Sequence, residues 1–127
     1  ISHDGYQRHG AYIAENADMP GFPRAEQRLL AFLVGGQRHR IDAGRLKSVP
    51  GPWREGGMRL LIILRLAVLL NRSRKDIRIP PVSATARADR LELSFDDAWL
   101  ADNPLTVADL ERETSYLSAV GYELAFS

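Results

Sequence analysis

The sequence predicts an α+β protein, in which a helical first part is followed by a small unit of strand, strand, helix and strand. Before Ile79-Pro80-Pro81 the apolar residues recur at the spacing of an α-helix, and after it they alternate with polar residues as in half-buried strands. The charge changes at the same place. Residues 1–79 hold 14 Lys and Arg against 7 Asp and Glu, whereas residues 80–127 hold 3 against 9. We therefore predict two domains, 1–79 and 80–127.

The first part predicts helices in which apolar residues mark the buried side. Four helices are predicted there. The first covers residues 6–16, and the second runs from Pro23 or Arg24 to Gly35-Gly36. A short third helix lies near Arg45, and the fourth runs from about Met58 to Ser73. The prolines and glycine of residues 19–23 must end the first helix, and proline fits the first turn of the second. The last helix is apolar on nearly all sides, which indicates a central, buried element.

The second part begins with a predicted hairpin. Apolar and polar residues alternate over 82–87 and again over 91–95, and residues 88–90 join the two runs. Residues 96–100 predict a helical turn. A longer helix is predicted from Asn103, a good N-cap followed by a proline, to about Ala119. After Gly121 the apolar residues Tyr122, Leu124 and Phe126 alternate as a last strand.

Composition excludes several kinds of site. The chain has no cysteine, so it has no disulfide, no thiolate zinc site and no cysteine nucleophile, and a cytoplasmic location is the expectation.

The most apolar run, residues 60–70, is interrupted by Arg65 and would extend only about 16 Å as a helix. A bilayer needs roughly twenty apolar residues, so no membrane contact is expected. The N-terminus lacks a signal-peptide pattern, and Ile1 in place of an initiator methionine suggests a piece of a larger protein.

His3-Asp4 is a candidate metal dyad, because an imidazole and a carboxylate together suit a divalent ion that activates water. Such a site needs further ligands. His9 lies six residues after His3, about 240° around a helix, so one helix would not present both on one face. The competing interpretation is a capping or loop dipeptide, and no metal is expected here.

Basic residues are the stronger indication of a binding site. If they converge, they form an anion-binding surface suited to phosphates. The competing interpretation is a solvated helical surface with scattered salt bridges. The candidates are Arg8, His9, Arg24, Arg28, Arg38, His39, Arg40, Arg72, Arg74 and Lys75.

Four blocks, in order along the chain, resemble the C-terminal part of the exopolyphosphatase and guanosine pentaphosphate phosphohydrolase family (Ppx/GppA). They are GYQRHGAYIAENADMPGF, PRAEQRLLAFLV, LRLAVLLNRSR and LELSFDDAWLADNPLTVADLERE. The likeness is nearer to the exopolyphosphatase branch, with the guanosine pentaphosphate branch as the alternative.

The resemblance implies that catalysis belongs to other domains than those found in this chain. Two N-terminal actin-like domains of that family carry the phosphate loops, the catalytic acid and a magnesium site, and none of those motifs occurs in this chain. The family's third domain is a helical HD-like unit and its fourth a small α+β unit, which implies a helical HD-like unit followed by a ββαβ unit here. His3-Asp4 would then lie just after the family's HD position. No catalytic residue is expected in this chain, and a homodimer is expected for the parent.

Two positions depart from the family pattern. Pro23 stands where members often have a capping serine. After the second helix the exopolyphosphatases typically have Tyr-His-Arg-Lys, whereas this chain has Gly36-Gln37-Arg38-His39. The histidine is displaced, although the positive charge is kept.

Three hypotheses follow. The chain is an accessory region of an exopolyphosphatase-like enzyme, inactive alone, that binds a polyanion or pairs subunits; or it is a freestanding anion or nucleic-acid binding module; or it is a self-sufficient HD metal phosphohydrolase. Few aromatic residues are interleaved with the arginines, which gives base stacking little support. The third hypothesis lacks the necessary ligands.

Overall fold

The structure is a computed structural model that describes residues 6–18, 20–21, 23–72 and 81–127. Its architecture is the predicted α+β fold. The elements are α1 (Tyr6–Asn16), α2 (Arg24–Gly35), α3 (Ala43–Leu46), a 3-10 turn (Gly51–Trp53), α4 (Arg54–Arg72), β1 (Val82–Arg87), β2 (Arg90–Phe95), α5 (Asp97–Asp102), α6 (Pro104–Ser118) and β3 (Glu123–Phe126).

The largest difference from the predicted ends is at α4, which begins at Arg54 rather than Met58. Gly56 and Gly57 suggested a loop, but both lie inside the helix because the 3-10 turn continues directly into it. Gly57 also has a packing role there. A Cβ atom at Gly57 would lie 2.9 Å from Leu29 Cδ1, so the missing side chain allows a leucine of α2 to approach α4.

The chain forms two compact units, Ile1–Arg65 and Leu66–Ser127, and the division falls inside α4. The predicted domain boundary, between residues 79 and 80, falls among residues that the structure does not describe. It therefore stays a prediction. In the described ranges, no helix combines the length and the apolar character needed to cross a membrane.

Small residues bring α1 and α2 close together in the first unit. A Cβ atom at Gly10 would lie 2.7 Å from Val34 Cγ1, and one at Gly35 would lie 3.1 Å from Ala11 Cβ. Ala11 is fully buried. Such close approach is possible only where one partner lacks a side chain, because packed interiors leave little free volume.

The end of α1 is tied to the start of α2 by a buried glutamine. Gln27 is 5% exposed, and its side-chain amide donates to the Glu15 carbonyl at 3.1 Å and to the Ala17 carbonyl at 2.6 Å. The last carbonyls of a helix have no partner within the helix. Gln27 therefore satisfies carbonyl groups at the end of α1. Helix α2 begins without a side-chain cap, because Pro23 has no side-chain acceptor.

The second unit is a three-stranded sheet packed against α6. The strand order is β1-β2-β3; β1 is antiparallel to β2, with Val82 opposite Phe95, and β3 is parallel to β2. Buried Leu93 and Phe95 of β2 and buried Leu110 of α6 belong to the core of this unit. The alternation of residues 91–95 is confirmed, since the polar members of that run are exposed.

Two glycine substitutions test the packing of the first unit. Gly56 lies in α4 with open space around it, so Gly56→Ala is expected to raise the free energy of unfolding by about 0.5–1 kcal/mol through helix propensity. Gly10→Ala brings the same gain in propensity but drives a methyl group into Val34. We expect a net loss of about 1 kcal/mol, because overpacking costs more than propensity returns. Urea unfolding measures both, and equal stabilisation by the two variants would contradict the close approach of α1 and α2.

Candidate functional site

The candidate site is the turn that follows α2. Arg38, His39 and Arg40, here called the basic turn, are all exposed. In the ranges that the structure describes, no carboxylate lies within salt-bridge distance of Arg38 or Arg40. Both guanidinium groups are therefore available to an anion from solution, and an arginine fork matches the oxygens of a phosphate group.

A buried arginine of α4 holds this turn. Arg65 is only 4% exposed. Its Nη1 donates to the Gly36 carbonyl at 2.6 Å, and its Nη2 donates to the His39 carbonyl at 2.6 Å. A buried charge is tolerated only when it is hydrogen-bonded. One of these carbonyls lies two residues before the basic turn and the other lies within it. The guanidinium thus joins the middle of α4 to the backbone that carries Arg38 and Arg40.

The backbone of the turn has two special features. His39 has a φ of 59°, which is in the left-handed region that residues other than glycine seldom adopt. Gly36 is required for space: a Cβ atom there would lie 2.8 Å from Leu61 Cδ2, and Leu61 is fully buried. The chain therefore leaves the end of α2 in direct contact with Leu61 of α4, and a side chain at position 36 would displace the turn.

The structure places the other predicted anion-binding residues in different settings. The Arg24 Nη1 donates to the Glu15 carbonyl at 2.7 Å, so this arginine satisfies a backbone acceptor at the end of α1. Arg72 belongs to the second unit and lies 3.5 Å from Asp109. Arg8, His9 and Arg28 are exposed on α1 and α2. Arg74 and Lys75 lie outside the described residues.

Arg65 is the site residue that sequence reasoning missed. The sequence showed it only as the residue that interrupts the apolar run 60–70, seven residues before Arg72. The two differ in setting, because Arg65 is buried in mid-helix whereas Arg72 is exposed in the last turn. A lone arginine inside an apolar run does carry information, since burying it requires hydrogen-bond acceptors nearby.

A second charged cluster lies on the sheet. Arg90 forms ion pairs with Glu92, at 2.7 Å, and with Glu123. The hydrogen bonds that Arg90 donates to Glu92 and then to Glu123 raise the pKa of Arg90 above its ordinary value. A groove of about 310 Å³ lies beside this cluster, lined by Thr85, Arg87, Arg90 and Glu92. The two carboxylates offset two arginines, so this groove is less suited to a polyanion than the basic turn.

An apolar groove of about 430 Å³ lies on the first unit and has a different character. Its lining residues are Glu26, Leu29, Leu30, Leu33 and Trp53. None of the predicted anion-binding residues that the structure describes contributes to it.

His3 and Asp4 lie outside the described residues. In the part of the chain that the structure does describe, no group of three or more His, Asp or Glu side chains could hold a metal ion. The expectation that His3 and Asp4 hold none stays a prediction.

Comparison with known proteins finds a family model and several relatives that this chain is similar to. Residues 1–114 match the family model described as Ppx/GppA phosphatase, domain III. A guanosine-5'-triphosphate,3'-diphosphate pyrophosphatase of Vibrio vulnificus (strain YJ016) is 40% identical over 119 residues, which are 91% of this chain and 23% of that protein. Proteins of the same name are 31% identical over 124 residues in Pseudoalteromonas translucida (98% of this chain, 25% of that protein) and 37% identical over 117 residues in Vibrio cholerae (92% and 23%). The chain spans about a quarter of the length of the curated relatives it matches.

Measurements of the free energy of unfolding can separate arginines that support the fold from arginines that are available to a ligand. Arg24→Ala is expected to lower the free energy of unfolding by about 1 kcal/mol, because it removes a charge-assisted hydrogen bond at the end of α1. Arg38→Ala and Arg40→Ala are expected to change it by less than about 0.5 kcal/mol, as exposed positions without partners usually do. Urea unfolding measures all three. A loss at Arg38 as large as at Arg24 would show that the basic turn is needed for folding rather than free for a ligand.

Proposed function

Because the chain belongs to the Ppx/GppA phosphatase family, we propose that it is the C-terminal accessory region of a guanosine pentaphosphate phosphohydrolase and that its basic turn binds the phosphates of the substrate. Catalysis is assigned to other domains of the longer protein. The observation that carries the proposal is the pair Arg38 and Arg40, exposed and without carboxylate partners in the described ranges, on a turn held from behind by Arg65.

The names of the relatives favour one of the two branches weighed from the sequence. The residue blocks suggested the exopolyphosphatase branch first and the guanosine pentaphosphate branch as the alternative. The relatives are called guanosine-5'-triphosphate,3'-diphosphate pyrophosphatases, which supports the alternative. We therefore propose guanosine pentaphosphate as the substrate, and inorganic polyphosphate becomes the comparison in the test.

Charge supports a binding role for the first part of the chain. Residues 1–79 hold 14 Lys and Arg against 7 Asp and Glu, and such an excess raises the local concentration of anions. A guanosine with a triphosphate and a diphosphate presents two separate rows of phosphates. Arginine forks bind such oxygens with charge-assisted hydrogen bonds, so two arginines on one turn suit one of these rows.

The remaining partners follow from the family resemblance and are also proposals. The accessory region would contact the catalytic domains of its own polypeptide, and the parent would form a homodimer. Magnesium would act in the catalytic domains, and no residue of this chain is proposed to hold it.

The test is the affinity of the full-length protein for guanosine pentaphosphate at two salt concentrations. The double variant Arg38→Ala/Arg40→Ala is expected to raise the Kd about tenfold at low salt, which corresponds to about 1.4 kcal/mol. The effect should shrink as salt rises, because exposed charges are screened.

The matched control is Arg59→Ala/Arg112→Ala. It also removes two positive charges, but both of these arginines already pair with carboxylates, of Glu55 and Asp109. An unchanged Kd in the Arg38→Ala/Arg40→Ala variant would show that the basic turn is solvated surface and that the region serves structure or subunit pairing. A loss for long polyphosphate but not for guanosine pentaphosphate would instead favour the exopolyphosphatase branch.

A further inference from the structure

We propose that Arg65 is a positioning residue for the anion site, which raises affinity by fixing the basic turn in one conformation without touching the ligand. The inference rests on the proposed anion-binding role of Arg38 and Arg40. It assigns part of the affinity of a surface site to a side chain in the interior.

Burial and geometry show how Arg65 would act. The side chain is 4% exposed, so an anion bound at the surface cannot reach its guanidinium. Among its acceptors are the carbonyls of Gly36 and His39, which lie 29 and 26 residues away in sequence. These carbonyls precede Gln37 and Arg40, so one guanidinium holds the backbone on both sides of Arg38.

The conformation that Arg65 holds is one that the chain does not prefer. His39 has a φ of 59°, and a residue other than glycine adopts this region only where its surroundings impose it. The His39 carbonyl is the acceptor of the Arg65 Nη2. Without that bond the turn would sample other conformations, and Arg38 and Arg40 would face an anion together for only part of the time.

Arginine is suited to this role by the shape of its donors. The guanidinium presents Nη1 and Nη2 in a fixed plane, so it can bind two carbonyls at once in one geometry. A lysine ammonium at the same place is a compact donor on a flexible stem. Arg65→Lys would keep the charge and most of the aliphatic packing but would lose the second carbonyl.

The rise in Kd that follows when the turn is no longer held in one conformation can be estimated. When only a fraction of a protein is in the binding-competent conformation, the apparent Kd rises by the inverse of that fraction. If the freed turn spends about a tenth of its time in the binding conformation, the Kd rises about tenfold. Arg65→Lys is expected to give a smaller rise than Arg65→Met.

The experiment is a double-mutant cycle on the chain of 127 residues, with inorganic tripolyphosphate as the probe and calorimetric titration as the readout. Arg65→Met and Arg65→Lys are each made in the natural background and in Arg38→Ala/Arg40→Ala. We expect the Arg65 variants to weaken binding only when Arg38 and Arg40 are present. Urea unfolding of the same proteins should show similar destabilisation in both backgrounds, which separates affinity from stability.

The outcomes are distinguishable. If Arg38→Ala/Arg40→Ala alone leaves the Kd unchanged, the proposed function fails. If that variant weakens binding but Arg65→Met and Arg65→Lys do not, the positioning role of Arg65 is overturned. An equal loss in both backgrounds would also overturn it, because the effect would then reach the ligand by another route. If Arg65→Met does not fold, Arg65→Lys decides alone by the same comparison.

Discussion

The first unit depends on one constraint, which is that the guanidinium of Arg65 is buried and must be hydrogen-bonded. Desolvation of a charged group is costly, so the chain must bring carbonyl groups to it. Gly36 and His39 supply them, and they can do so only because α2 ends close against α4, where Gly36 leaves room for Leu61. The path of the turn, the left-handed His39 and the outward placement of Arg38 and Arg40 all belong to this arrangement.

Membership of the Ppx/GppA family changes what the charge distribution means. A net charge of +1 alone would not suggest a polyanion ligand. The excess of positive charge lies in residues 1–79, however, and the relatives are named for a guanosine carrying a triphosphate and a diphosphate. A surface that binds part of such a substrate needs no nucleophile and no metal of its own. The proposed role requires only exposed arginines on a turn whose backbone is held in place.

Sequence reasoning recovered the fold well because most elements are set by local patterns. Helix α2 begins after Pro23 and ends at Gly35, as its proline and glycines indicate, and the hairpin follows from alternation alone. The start of α4 was placed too late, because the 3-10 turn leads directly into the helix and Gly57 packs against Leu29 of α2. The role of Arg65 could not be predicted, since its acceptors lie 26 and 29 residues away. For Arg24, the sequence indicated the charge but not the hydrogen bond that its Nη1 donates to the Glu15 carbonyl at the end of α1.

The parallel pairing of β2 with β3 has a consequence for the order in which the second unit folds. Strands β1 and β2 are joined by a tight turn, and hairpins of this kind form in about 1–10 μs. Arg90 and Glu123, which are partners across β2 and β3, lie 33 residues apart, and closing a longer loop costs more entropy before any contact repays it. The hairpin is therefore expected to form before β3 pairs with β2, because that pairing must first close a loop that contains the whole of α6.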